Sequence, residues 1–192
     1  MDDVKTYYNP LNGEYTKILR SSADTLGEYS LLEVNLMPGG GNPPHYHTRF
    51  TEEFIAVKGK LGLLYNKDIV YLDPGESRLV PIGVEHRFFN DSDEPIVFKI
   101  ILRSGQPGFE NFIKGLFGLV NDGKTTKKMI PKNPLYGAIL LYWGDTHLKN
   151  LYFYLFSPLA ALAYRIAKIS GAERKLLDKY CLGEIVRDSQ IK

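Results

Sequence analysis

Between residues 14 and 103 no stretch is long enough and apolar enough to supply the crossover helix that parallel strands need. The runs Phe54–Val57, Leu61–Tyr65, Ile69–Leu72, Ser77–Val80, Arg87–Phe89 and Ile96–Leu102 are short and rich in β-branched or aromatic residues. Leu32, Val34 and Leu36 alternate with Leu31, Glu33 and Asn35 at period two, the signature of a strand with one buried face. Gly and Pro punctuate the runs at Pro38-Gly39-Gly40-Gly41, Gly59, Pro74-Gly75 and Pro81–Gly83. Short strands at this spacing predict an antiparallel sandwich or barrel.

The pattern changes after Arg103. Phe109, Phe112, Ile113, Leu116, Phe117 and Val120 recur at helical spacing and predict an amphipathic helix over 108–121. Asn133-Pro134 and Ser157-Pro158 each read as a helix start, and Gly171 as a stop. The stretch from Leu151 to Tyr164 is the most apolar, but its 14 residues fall short of the roughly 20 needed to span a bilayer. It is expected to pack on the barrel or in a dimer interface, with fraying from Tyr180 onward. The division expected is therefore a β barrel over 1–104 and a helical extension over 105–192.

The 192 residues, 44% hydrophobic and 24% charged, suit one globular domain with an extension and exclude disorder. A chain of this length buries enough surface to fold without disulfides or a structural metal. The single cysteine, Cys181, excludes a disulfide framework and cysteine-based metal sites; it is expected near an exposed end, and no role is assigned to it. No apolar stretch follows the acidic start Met1-Asp2-Asp3, so a cytoplasmic location is expected. The positive charge gathers in the second half, but the basic residues are scattered apart from Lys124, Lys127 and Lys128. The expectation is a solvated helical surface, with no nucleic-acid or membrane partner.

Three of the four histidines lie in two short segments. His45 and His47 are two apart, which on a strand puts both imidazoles on one face. Glu52 begins the apolar strand that follows, and Glu53 points to its other face. His86 stands just after the Pro81-Ile82-Gly83 turn. Three imidazoles and a carboxylate make a ligand set for a divalent first-row metal, although an H-x-H pair alone also fits two surface histidines. Phe88 shares the face of His86, and Phe54 and Ala56 that of Glu52, as cavity wall or as barrel core. Tyr46 should point away. His147, in the loop Gly144–His147, reads as a loop or cap histidine, with a supporting or lid role as the alternative.

The spacing of these residues resembles the two motifs of the cupin superfamily. Gly39, His45, His47, Glu52 and Gly59 fit G-x5-H-x-H-x(3,4)-E-x6-G. Gly75, Pro81, Gly83, His86 and Asn90 fit G-x5-P-x-G-x2-H-x3-N without departure. Five fixed residues coincide by chance on the order of 10⁻⁶ times per start position. Roughly residues 12–103 share the resemblance, and the wider frame is similar to small single-cupin bacterial proteins with a helical C-terminal extension.

The resemblance implies a mainly β fold, a double-stranded β-helix or jelly-roll barrel followed by a C-terminal group of α-helices. It implies His45, His47, Glu52 and His86 as ligands of one divalent transition metal per chain: iron, manganese, nickel or zinc. Glu52 rather than Glu53 keeps both motif spacings, and Asn90 is expected to tie a turn. The function implied is a metal-dependent enzyme acting on a small molecule, by dioxygenase-like oxidation or as a sugar isomerase or epimerase. A non-catalytic binding or sensing protein is the alternative. A homodimer is expected, because the apolar surface of the two long helices exceeds what one small barrel covers.

Overall fold

The computed structural model of the chain describes residues 5–149 and 151–182. Nine strands come first: β1 (Thr6–Asn9), β2 (Glu14–Arg20), β3 (Ser30–Leu36), β4 (Thr51–Lys58), β5 (Leu61–Tyr65), β6 (Asp68–Leu72), β7 (Ser77–Val80), β8 (His86–Phe89) and β9 (Ile96–Arg103). The helices α1 (Pro107–Asn121), α2 (Pro134–Gly144), α3 (Leu151–Ile169) and α4 (Ala172–Leu176) follow, and α4 runs into a π-helical turn, Leu177–Cys181. Among the described residues, those up to Pro107 and Asp145–Lys149 form one compact unit. Gly108–Gly144 and the residues after Asn150 form a second.

Every strand pairing in the first unit is antiparallel, as short strands with tight connections require. One sheet runs β1-β2-β3-β9-β4-β7 and the other β6-β5-β8. Their inner faces meet through rings. Phe88 of the smaller sheet lies 5.1 Å from Phe98 and 6.3 Å from Phe54 of the larger. This is the jelly-roll barrel, mainly β, with helices following it.

Register sorts the inward residues into rungs. Glu52 sits beside Leu102 and Ser30, Phe54 beside Ile100 and Leu32, and Ala56 beside Phe98 and Val34. Ile96, Leu36 and Glu14 form the rung at the other end. All are buried, and each large apolar side chain among them contributes about 1.5–3 kcal/mol relative to exposure. Glu52 and Glu14 are six residues apart in register, or roughly 20 Å along the strands. The barrel thus carries one buried carboxylate near each end and aromatic packing between them.

Two local expectations need correction. The segment carrying His45 and His47 is not a strand. It is a loop between β3 and β4 in which His45 pairs with His86 and Tyr46 with His147 as isolated bridges. Pro43 and Pro44 offer no N–H, so no ladder can run through them. Ser157-Pro158 does not start a helix either, since Pro158 lies inside α3. A Ser-Pro pair marks a first turn only where the chain before it is non-helical, and here seven helical residues precede it.

In the second unit Leu119, Ile139, Leu140, Trp143, Ala167, Ala172, Leu176 and Cys181 form a core. Asn133 accepts the Leu135 N–H at 2.9 Å and caps α2 as expected. Glu173 accepts from Trp143 Nε1 and Tyr164 OH, both at 2.9 Å. Cys181 is buried, not at an exposed end, and its thiol points at the Asn111 carbonyl at 3.7 Å. Tyr180 and Cys181 are helical rather than frayed, and residues 183–192 lie outside the described residues. Among the described residues no helix is long and apolar enough to cross a membrane.

Candidate metal centre

Three pieces of backbone deliver the side chains to one end of the barrel. Glu52 enters from β4, where strand alternation turns it inward and Glu53 outward toward Arg103, 3.6 Å away. His86 opens β8. His45 comes from the preceding loop, held to it by reciprocal amide bonds of 3.0 and 2.8 Å between the two histidine backbones. Gly83, at φ +78°, donates its N–H to the His47 carbonyl at 2.8 Å. That left-handed turn favours glycine, and through it the second histidine segment grips the first.

The four donor groups lie within 4.8 Å of one another and are all buried. His45 is 7% exposed, His47 2%, Glu52 4% and His86 1%. Each imidazole is oriented from behind. The Nδ1 atoms of His45, His47 and His86 point at the carbonyl oxygens of Pro43, Asp145 and Val84, each at 2.9 Å. A carbonyl oxygen only accepts, so each Nδ1 carries a proton and donates it. The Nε2 atoms face inward: His45 Nε2 is 3.1 Å from His47 Nε2, and His86 Nε2 is 2.6 Å from Glu52 Oε2. His47 Nε2 stands 3.5 Å from the same carboxylate oxygen.

Two inward lone pairs at this separation repel unless a proton or cation lies between them. Burial holds the His45 imidazole down at about 3, with the His86 and His47 rings adding to the shift, so His45 is neutral near pH 7. Burial opposes ionisation of Glu52, but the His47 and His86 rings outweigh it and keep the carboxyl well below its usual range. Burial also works against a charged His86, yet its hydrogen bond to Glu52 prevails and raises the imidazole. A buried pocket of three convergent imidazole nitrogens and one carboxylate matches the donor preferences of a divalent first-row metal. The site is able to hold one such ion.

Around the four groups the packing is aromatic. Phe50 stacks on His47 at 4.3 Å, and Phe54 lies 5.9 Å from His86. Phe54, Phe88 and Ala56 are buried within the barrel core, where the Phe54 and Phe88 rings pack at tilted angles against each other and Phe98. Asn90 ties a turn as expected, donating to the Leu36 and Glu94 carbonyls and accepting from Ser92. Tyr46 turns away and stacks on His147 at 5.2 Å.

His147 itself belongs to a short strap, Asp145–Lys149, that packs with the barrel. Its backbone exchanges hydrogen bonds of 2.9 and 3.1 Å with Tyr46, and its Nε2 lies 2.9 Å from Asp145 Oδ1. Asp145 is the residue that sequence reasoning passed over. It is 5% exposed, and its carboxylate accepts from the backbone N–H of Thr48 at 2.6 Å, that of Arg49 at 2.7 Å and the Thr48 hydroxyl at 2.9 Å. Burial opposes its charge, but the hydrogen bonds from His147, Thr48 and Arg49 outweigh it and lower the carboxyl below its ordinary value. No local signal marks Asp145, because His47, Thr48 and Arg49, the partners that tie it to the site, lie 96 to 98 residues earlier in the chain.

The family profile described as "Cupin domain" matches residues 32–102. Over those residues the chain is similar to the cupin domain. All four convergent residues fall within it. The chain is 35% identical over 100 residues to a germin-like protein, subfamily 3 member 2, of Arabidopsis thaliana, covering 50% of this chain and 44% of that protein. It is 36% identical over 103 residues to oxalate oxidase GF-2.8 of Triticum aestivum, covering 50% and 46%. The chain thus spans about half the length of the curated relatives it matches. Among solved structures, the polyketide cyclase RemF of Streptomyces resistomycificus aligns at TM-score 0.47 and 23% identity, over 55% of this chain and 77% of that one.

Two outcomes follow from the site's geometry. Glu52→Gln should weaken metal binding at least about tenfold, since even outer partners of metal ligands are worth 10- to 100-fold. Glu53→Gln should leave it unchanged; competition with a chromophoric chelator measures both. The second concerns pH. A bound ion keeps protons off the Nε2 atoms, so the loaded fold binds fewer protons than the unfolded chain, whose histidines titrate near 6.5. Metal-linked stability is therefore full above that pH and lost as pH falls. His86, raised in the metal-free protein, must also give up a proton, which starts the loss at higher pH. Paired melts should show a gain at pH 7.5, worth about 2.7 kcal/mol at a hundredfold excess of metal over Kd, that shrinks toward zero by pH 5.

Proposed function

We propose that this chain is a metal-dependent oxidoreductase that oxidises a small organic anion with dioxygen, in the manner of a dioxygenase or oxidase. The observation that carries this reading is the convergence of His45, His47, Glu52 and His86 within 4.8 Å, with all three imidazoles oriented from behind. These four residues would hold one divalent ion per chain. When bound, the ion supplies Lewis acidity and one-electron chemistry at positions the protein leaves open. Oxidation calls for a redox-active ion, which favours iron or manganese over zinc.

The chain's own residues set the rest. Three neutral imidazoles and one carboxylate leave a divalent ion with a single net positive charge, which favours an anionic ligand such as a carboxylate. Phe50 and Phe54 shield the histidines from water, which strengthens that attraction. Likeness over half the chain to proteins named oxalate oxidase supports oxidation of a small acid.

The test is oxygen uptake by the full chain reconstituted with iron or manganese, offered oxalate, other small carboxylates, phenolics and sugar derivatives. Uptake is expected with at least one acid, and it should vanish on chelation and in His86→Ala. An ion retained without uptake on any of these compounds would overturn the oxidase reading and leave a binding or sensing domain.

The same proposal includes a homodimer. Leu159, Leu162, Ile166 and Ile169 are 57%, 53%, 47% and 89% exposed and recur at helical spacing on α3. Light scattering should give twice the 21.8 kDa chain mass. Ile166→Lys should return it to one chain mass.

A further inference from the structure

The strap Asp145–Lys149 does two things to the ligand loop at once. Its first residue offers a backbone carbonyl to His47 Nδ1 at 2.9 Å. The same residue's carboxylate gathers the two backbone N–H groups that follow His47, those of Thr48 and Arg49, onto one oxygen at 2.6 and 2.7 Å. Its other oxygen takes the Thr48 hydroxyl and the His147 ring, both at 2.9 Å, with Arg49 Nε at 3.4 Å. Two residues on, His147 pairs its backbone with Tyr46, the residue between the two histidines. His47 is thus gripped from both sides by a segment lying outside both histidine motifs.

The backbone of Asp145 is itself unusual. Its φ is +47°, in the left-handed region that side-chain-bearing residues seldom adopt. Asp and Asn tolerate it best. That conformation is part of how one residue directs its carbonyl at His47 and its carboxylate at the amides beyond. The other two imidazoles need no such help. His45 and His86 find their carbonyls two residues back in their own segments, at Pro43 and Val84. His47 alone of the three is oriented by a residue remote in sequence, 98 positions later.

We propose that Asp145 is a positioning residue for the metal centre. Its carboxylate locks the strap to the ligand loop so that its carbonyl fixes His47 with the proton on Nδ1 and Nε2 aimed at the ion. This rests on His47 being a metal ligand, as proposed above. The barrel motifs then specify three of the four donors completely, and the strap after α2 completes the fourth.

The experiment uses the full chain and two readouts other than activity: zinc affinity by chelator competition, and the histidine tautomers by long-range ¹H–¹⁵N correlation of the zinc-loaded protein. Asp145→Gly keeps the left-handed backbone free of strain and removes the carboxylate. It should lower zinc affinity 10- to 100-fold, the range for partners that orient a ligand, and blur or invert the His47 tautomer while His45 and His86 keep theirs. Asp145→Asn keeps the left-handed preference and one oxygen for both amides, so it should rescue affinity to within about threefold of the parent. His47→Ala, measured alongside, tests the ligand assignment: zinc bound as tightly without His47 would sink that assignment, whatever Asp145 does. Unchanged affinity and an unchanged His47 tautomer in Asp145→Gly would overturn the positioning role while leaving the ligand set standing. If Asp145→Gly does not fold, the parent spectrum decides, since a proton on His47 Nε2 in the loaded protein contradicts the proposal directly.

Discussion

Three hydrogen bonds of the same kind set the character of this protein: an imidazole Nδ1–H given to a backbone carbonyl, at His45, His47 and His86. Each bond fixes a tautomer and a ring plane. Together they aim three nitrogen lone pairs at one buried point beside Glu52. Such a point is costly to leave bare, because burying acceptors against one another forfeits the hydrogen bonds that water gives them in solution. His86 relieves the strain in the metal-free protein by holding a proton against Glu52 at 2.6 Å. A divalent cation held as proposed would relieve it more completely, by meeting all four donors. The fold's contribution is to keep the carbonyls in place, those of Pro43 and Val84 within the two histidine segments and that of Asp145 on the strap that packs with the barrel.

Strand parity and register supply the remaining selectivity. Glu52 and Glu53 are adjacent and chemically identical, yet one is 4% exposed among histidines and the other faces Arg103 on the outer surface. Glu14 has the same chemistry as Glu52 and similar burial, but it lies at the far end of the barrel with Thr16 and Asn12 for company. Burial raises its carboxyl there against those two hydrogen bonds, the reverse of what the histidines do to Glu52. Neighbours, and not burial alone, decide which carboxylate is an anion ready for a cation.

Much of this was legible in the sequence because it is written locally. Alternation at Leu32, Val34 and Leu36, the Gly and Pro breaks, and the spacing of two short segments are near-neighbour patterns, and β3 to β9 follow them closely. The four convergent residues were readable for the same reason. What was misread depends on context beyond a few residues. The prolines ahead of His45 stop a ladder that period-two spacing suggests. Pro158 sits inside a helix whose earlier turn a local Ser-Pro signal cannot see. Cys181 looked terminal and is core, because α4 and its π-helical turn fold it against α2 and α3. Asp145 had no spacing to announce it, since its role exists only once residues 48 and 145 meet.

The claim on which the rest depends is that three imidazoles and one carboxylate share a single ion. X-ray absorption of the full chain loaded with one equivalent of manganese or zinc addresses it directly. The account predicts a first shell of nitrogen and oxygen only, with outer-shell scattering from three imidazole rings, falling to two in His86→Ala. A sulfur in that shell, one imidazole or none, or a spectrum unchanged by His86→Ala would contradict it.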